Sequence, residues 1–188
     1  VGSEMCIRDR KYTLLLLVSL FSVSAFLAGN KKPNIVVFIS DDLGRWDTSI
    51  HGSKDARTPT MERLAAEGMT FDDAYVASPS CCPSRFSLLT GLMPARHGAH
   101  PNHSKVKTGT KFLPPILKKM GYHIASFGKI AHGNKKFEGL DFNEPKRTDM
   151  CVEVEKYFKN NKIEGPICLL VGDRRPPVSY THLTLPTT

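Results

Sequence analysis

Residues 80–91 read Ser80-Cys81-Cys82-Pro83-Ser84-Arg85-Phe86-Ser87-Leu88-Leu89-Thr90-Gly91, and the chain is organised around them. Pro83 suits the first turn of a helix, where a missing N–H costs nothing. Phe86, Leu88 and Leu89 supply an apolar face, and Gly91 is a natural stop. Cys81 therefore stands just before a helix N-terminus, among unpaired backbone N–H groups at the positive end of the dipole. Arg85, four residues on, can point back over the same end. Such a place takes an anion or a reactive oxygen or sulfur group. Taken alone, Cys81 and Cys82 also read as small semi-buried hydrophobes beside a cap. A thiol-redox module is disfavoured, because adjacent cysteines lack the two-residue spacer of redox motifs.

Upstream, Asn34–Ser40 is a continuous β-branched and aromatic run, the pattern of a central parallel strand buried on both faces. Asp41 and Asp42 follow at its carboxyl end, where ligand sites of open α/β sheets gather. Two adjacent carboxylates repel unless a cation holds them, and hard oxygens on a loop suit calcium; a solvated turn with an Asp cap is the other reading. Arg45–Arg57 reads as a loop. Thr58 caps a helix that Pro59 opens and Gly68 closes, and Met69–Ala77 reads as a second strand. Phe112–Met120 is an amphipathic helix, Tyr122–Phe127 a buried strand, and Phe137–Thr148 a loop. Met150–Asn160 is a helix with Val152, Val154, Tyr157 and Phe158 inward, and Pro166–Gly172 is a last strand. Lys129 and His132 emerge beyond the 122–127 strand, on the same edge as Asp41 and Cys81. His97, His100 and His103 lie in a Gly/Pro/Asn-rich loop that reads as a substrate rim rather than a metal site.

Cys81-Cys82-Pro83-Ser84-Arg85, followed by Leu88, Thr90 and Gly91, resembles the type I sulfatase signature. The spacing of Thr58, Pro59, Leu64, Ala65, Gly68, Phe71, Ala74 and Tyr75 resembles the segment that precedes it in those enzymes. The resemblance implies an α/β, alkaline-phosphatase-like three-layer sandwich with a mostly parallel central sheet, of which this chain holds the N-terminal part. It implies that a formylglycine-generating enzyme converts Cys81 to formylglycine, while Cys82 stays a thiol. Asp41, Asp42 and the converted Cys81 would hold a calcium ion. Arg85 and Lys129 would neutralise sulfate oxygens, and His132 would assist a hydroxyl of the aldehyde hydrate that attacks sulfur. Gly128-Lys129-Ile130-Ala131-His132 is one residue longer than the Gly-Lys-x-His of most sulfatases and resembles the iduronate-2-sulfatase branch. Ser80–Gly98 resembles heparan N-sulfatases. Both branches imply hydrolysis of sulfate esters or sulfamates on sulfated polysaccharides. A phosphonate or phosphodiester hydrolase of the same superfamily, or a non-catalytic scaffold with unmodified Cys81, are the alternatives.

Composition limits the remaining classes. The 188 residues carry a formal charge of +8, which fits an anionic substrate. Basic-aromatic stripes are missing, so nucleic acid is a poor partner. Residues 1–10 and 178–188 resemble translated sequencing adapters and are set aside from fold reasoning. Lys11–Gly29 reads as a signal peptide, with an apolar core too short and Ser-interrupted for a stable membrane span. An exported, periplasmic or extracellular protein follows. Residues 30–177 are then expected to be a truncated catalytic domain, inactive by itself because the family's later ligands are missing. Pro177 stands where the family often has His. Cys151 and Cys168 could pair in an exported protein.

Overall fold

The computed structural model describes residues 32–131, 138–145 and 149–173. The expected leader at 11–29, the terminal segments 1–10 and 178–188, His132 and Pro177 lie outside them. All described elements belong to the compact unit Asn34–Thr188. In chain order they are β1 (Ile35–Ser40), two short 3-10 turns (Arg45–Asp47 and Ser49–His51), α1 (Pro59–Glu67), α2 (Cys81–Thr90), α3 (Pro94–His97), α4 (Leu113–Lys119), β2 (His123–Gly128), β3 (Phe142–Glu144), α5 (Met150–Asn160) and β4 (Ile167–Asp173).

The four strands form one sheet in the order β1-β4-β2-β3, every pair parallel. Parallel neighbours cannot be joined by a tight turn, so longer segments connect them, and helices α2 and α5 cover the two faces. The period of two along each strand sorts its side chains. Ile35, Val37 and Ile39 of β1, Ile124 of β2, and Cys168 and Leu170 of β4 face a core shared with Cys82, Phe86 and Leu89 of α2. Ala125, Phe127, Leu169 and Val171 face the other way, against Met150 and Tyr157 of α5. Each large apolar side chain removed from water there contributes about 1.5–3 kcal/mol. The result is the expected helix–sheet–helix sandwich.

Several local expectations are corrected. β1 is not buried on both faces: Val36 and Phe38 are 64% and 62% exposed. They align with Leu169 and Val171, on the face where α5 packs over β2, β3 and β4 and leaves β1 open. Met69–Ala77 is not a strand but turn and extended chain. Met69, Phe71, Tyr75 and Val76 are exposed there, and the segment joins no ladder in the sheet. The segment read as the 137–148 loop contains β3, whose three residues are too few to show a period. α5 has the expected bounds, and Asp149 caps it by accepting from the Cys151 N–H at 3.0 Å. It turns Met150 and Tyr157 inward, and leaves Val152 and Phe158 43% and 44% exposed. Cys151 is exposed and Cys168 buried, and both are free thiols. Among the described residues, no helix is long and apolar enough to cross a membrane.

Candidate active site

Parallel strands deliver their carboxyl ends to one edge, and three elements meet there. Asp41 follows β1, Lys129 follows β2, and Cys81 is the first residue of α2. Ser80 occupies the cap position in extended geometry, φ −139° and ψ 144°, so Cys81 is the first helical residue rather than the one before the helix, and Pro83 is the third. The Asp41 N–H donates to the Asp173 carbonyl at 2.9 Å, which carries the β1–β4 register one residue past the strand. Asp42 then takes φ +55°, a left-handed kink of the kind Asp tolerates. The kink leaves Asp41 8% exposed and Asp42 open to solvent.

The side chains converge on Asp41. Arg85 Nη2 donates to Asp41 Oδ1 at 2.8 Å, and Lys129 Nζ donates to Asp41 Oδ2 at 2.5 Å. Arg85 Nη1 donates to the Lys129 carbonyl oxygen, so one guanidinium ties the helix to both strand ends. Lys129 Nζ is also 3.3 Å from Cys81 Sγ. Cys81 Sγ lies 3.7 Å from Asp41 Oδ1 and 3.8 Å from Asp42 Oδ1. Donor atoms of Asp41, Asp42 and Cys81 fall within 4.8 Å of one another, a set that could hold a metal ion. Five of the residues singled out in the sequence are thus brought together. The sixth, His132, lies outside the described residues.

Burial pushes the Asp41 carboxyl up, but hydrogen bonds from Lys129 and Arg85, with their charges, outweigh it and hold the group below its ordinary 3.8. A carboxylate depressed in the folded state adds stability above the unfolded pKa and loses it as pH falls through the folded one. Acid titration of the urea midpoint is therefore expected to be flat down to about pH 4 and then to fall. Asp41→Asn should flatten that acid limb; limbs of equal slope would disprove the linkage.

Two supports were not visible in the sequence. Gly128 and Gly172 pair across β2 and β4, and the Lys129 N–H donates to the Gly172 carbonyl at 2.9 Å. A Cβ on Gly172 would run into the Lys129 carbonyl, and one on Gly128 would run into the Gly172 carbonyl. This contact between two backbones sets where Lys129 leaves the sheet, and no side-chain pattern announces it.

His97 departs from the expectation of a rim residue. It is fully buried at the end of α3. Its Nδ1 accepts from the Ala99 N–H at 3.1 Å, and its Nε2 lies 3.1 Å from Ser87 Oγ. With Nδ1 an acceptor, a neutral ring carries its proton on Nε2 and donates it to Ser87. The pair is structural, because that tautomer cannot take a proton from the Ser87 hydroxyl. His100 and His103 are exposed, as a rim would require.

A family model described as Sulfatase matches residues 33–174. The "Ulvan-active sulfatase" of Formosa agariphila is 27% identical over 165 residues, covering 84% of this chain and 33% of that one. The "N-acetylgalactosamine-6-O-sulfatase" of Bacteroides thetaiotaomicron is 39% identical over 119 residues, covering 61% of this chain and 23% of that one. A solved structure of a protein in complex with its substrate, D-glucosamine-2-N,6-O-disulfate, matches with TM-score 0.69 at 25% identity, covering 78% of this chain and 35% of that one. The fold is the α/β, alkaline-phosphatase-like one of sulfatase structures. Within that class the chain belongs to the sulfatase family. It spans a third or less of the length of the two curated relatives.

Proposed function

We propose that this site hydrolyses sulfate esters or sulfamates of sulfated carbohydrates, with Cys81 as the residue converted to formylglycine. The observation that carries the reading is the meeting of Cys81 with Lys129, Arg85 and Asp41 at one sheet edge. The names of the relatives support a sulfated-glycan substrate, and the resemblance of 80–98 and 128–132 to glycosaminoglycan sulfatases supports a polysaccharide one. The signal-peptide pattern at 11–29 supports export.

Formylglycine would supply a geminal diol: one hydroxyl oxygen would bond to sulfur as the sulfur's bond to the sugar oxygen or nitrogen breaks and the alcohol or amine leaves, and deprotonation of the second hydroxyl would then expel sulfate and restore the aldehyde. The residues around it divide the remaining work. Lys129 Nζ, 3.3 Å from Cys81 Sγ, places a positive charge beside the attacking atom and the sulfate oxygens. Arg85, 5% exposed, holds Asp41 and the Lys129 carbonyl in register and adds positive charge from behind. His132, three residues after Lys129 in the sequence, would accept or hold a proton on the diol.

The donor set fits calcium in part. Asp41 and Asp42 offer hard carboxylate oxygens, and Cys81 would offer an oxygen once converted, against the roughly six to eight oxygens calcium takes. Bound there, calcium would neutralise sulfate charge as a Lewis acid. Asp41 would share its oxygens between the ion, Arg85 and Lys129.

Mass spectrometry of the peptide spanning Cys81, after co-expression with a formylglycine-generating enzyme, tests the reading. Loss of sulfur and gain of an aldehyde at Cys81 is expected. Turnover by the complete reading frame should favour an aryl sulfate over an aryl phosphate diester. An unmodified Cys81 would end the formylglycine reading, and a preference for the phosphate diester would move the enzyme to a phosphonate or phosphodiester hydrolase.

A further inference from the structure

Between Asp73 and Glu138 the chain contains no aspartate or glutamate. That span supplies Arg85 and Lys129 to the site, and it also contains the connection from α2 to α4. Along it Arg96, His100, His103, Lys105, Lys107 and Lys111 are exposed. Among the described residues, no carboxylate forms an ion pair with Arg96, Lys105, Lys107 or Lys111. A solvated face normally intersperses both signs, as α5 does. There Lys156 pairs with Glu153 at 3.1 Å and Lys159 with Glu155 at 2.7 Å. The 96–111 segment does not: it contains no acidic residue.

The segment is also anchored against the site. The Cys82 N–H donates to Asn102 Oδ1 at 3.2 Å, and Cys82 Sγ donates to the Ser104 carbonyl at 3.3 Å. Residues 102 and 104 therefore touch the immediate neighbour of Cys81. His103 lies between them in a left-handed turn, φ +65°, and Lys105 follows directly. Further along, the Lys107 N–H donates to the carbonyl of buried His97 at 2.8 Å, and the Lys107 stem lies against Gly98. The loop that carries Lys105 and Lys107 is thus tied to α2 through Cys82 and to α3 through His97.

We propose that the 96–111 segment is a polyanion-binding surface that receives neighbouring sulfate groups of a polysaccharide whose reacting sulfate lies at Cys81. The proposal rests on the sulfatase reading for the identity of the anion. A cationic surface without internal counter-charges concentrates a polyanion, and several attachment points on one chain add avidity. Nucleic acid fits less well, because residues 96–111 contain no Phe, Tyr or Trp on which a base could stack.

The test is binding, with Cys81 unconverted, so that failure of the catalytic reading leaves it standing. A fluorescently tagged chondroitin-6-sulfate hexasaccharide and the matching disaccharide are titrated into the full chain at several salt concentrations. The hexasaccharide is expected to bind at least about tenfold more tightly, with a steeper salt dependence. Lys105→Glu with Lys111→Glu should abolish that preference. Lys156→Glu with Lys159→Glu, which changes net charge equally on the opposite face of the sheet, should retain it. Length-independent binding would overturn the proposal, as would equal loss in both double variants. An equally tight complex with single-stranded DNA of matched charge would also overturn it.

Discussion

Arg85→Ala is expected to lower the stability of the folded chain by about 3–5 kcal/mol, the cost of breaking a buried charge pair from one side. The side chains of Arg85 and Asp41 are 5% and 11% exposed, so solvent screens them little. Without the guanidinium, Asp41 Oδ1 loses its 2.8 Å donor, and the Lys129 carbonyl loses the donor that ties it to α2. Lys129 alone then balances Asp41. Arg85→Lys should recover only part of the loss, because a single ammonium cannot reproduce a planar fork spanning a carboxylate and a carbonyl. Urea denaturation of the three proteins measures this. A loss below about 1 kcal/mol would class the pair with screened surface bridges and remove Arg85 as the organiser of the site.

Gly172→Ala should cost about 3 kcal/mol, at the upper end for adding a methyl group where there is no room. The added carbon would meet the Lys129 carbonyl and carbonyl carbon, and would stand 3.0 Å from the Ile130 nitrogen. These are backbone atoms, so no rotamer change relieves the clash. Either β4 or the 128–130 turn must shift, and the 2.9 Å bond from the Lys129 N–H to the Gly172 carbonyl should open. Amide exchange at Lys129 is expected to quicken together with the fall in urea midpoint. Native exchange at Lys129 in the variant would show that the two backbones are less tightly apposed than their geometry indicates.

Much of this site was legible because its chemistry is local. Asp41-Asp42 closes an apolar strand, Cys81 opens a helix, and Lys129 ends another strand, so each could be placed on the same sheet edge from its own neighbourhood. Errors arose where burial depends on distant partners. Val36 and Phe38 read as core because their run is apolar, yet α5 does not extend over β1. Met69–Ala77 has strand-like composition, but no ladder takes it up. His97 stood among polar loop residues, and only the packing of α3 against α2 shows that it is buried against Ser87.

The sequence by itself determined most element types, the parallel α/β class and the sulfatase resemblance, and it nominated Cys81 as the candidate reactive residue. These follow from periodicity, helix-terminus chemistry and a long fixed-spacing string, all properties of short stretches. Only the tertiary structure decided that Asp41 is shared between Arg85 and Lys129, that Gly128 and Gly172 fix the departure of Lys129, and that Asn102 ties a cationic loop to α2. Each of those contacts joins residues tens of positions apart, and chain folding alone brings them within bonding distance.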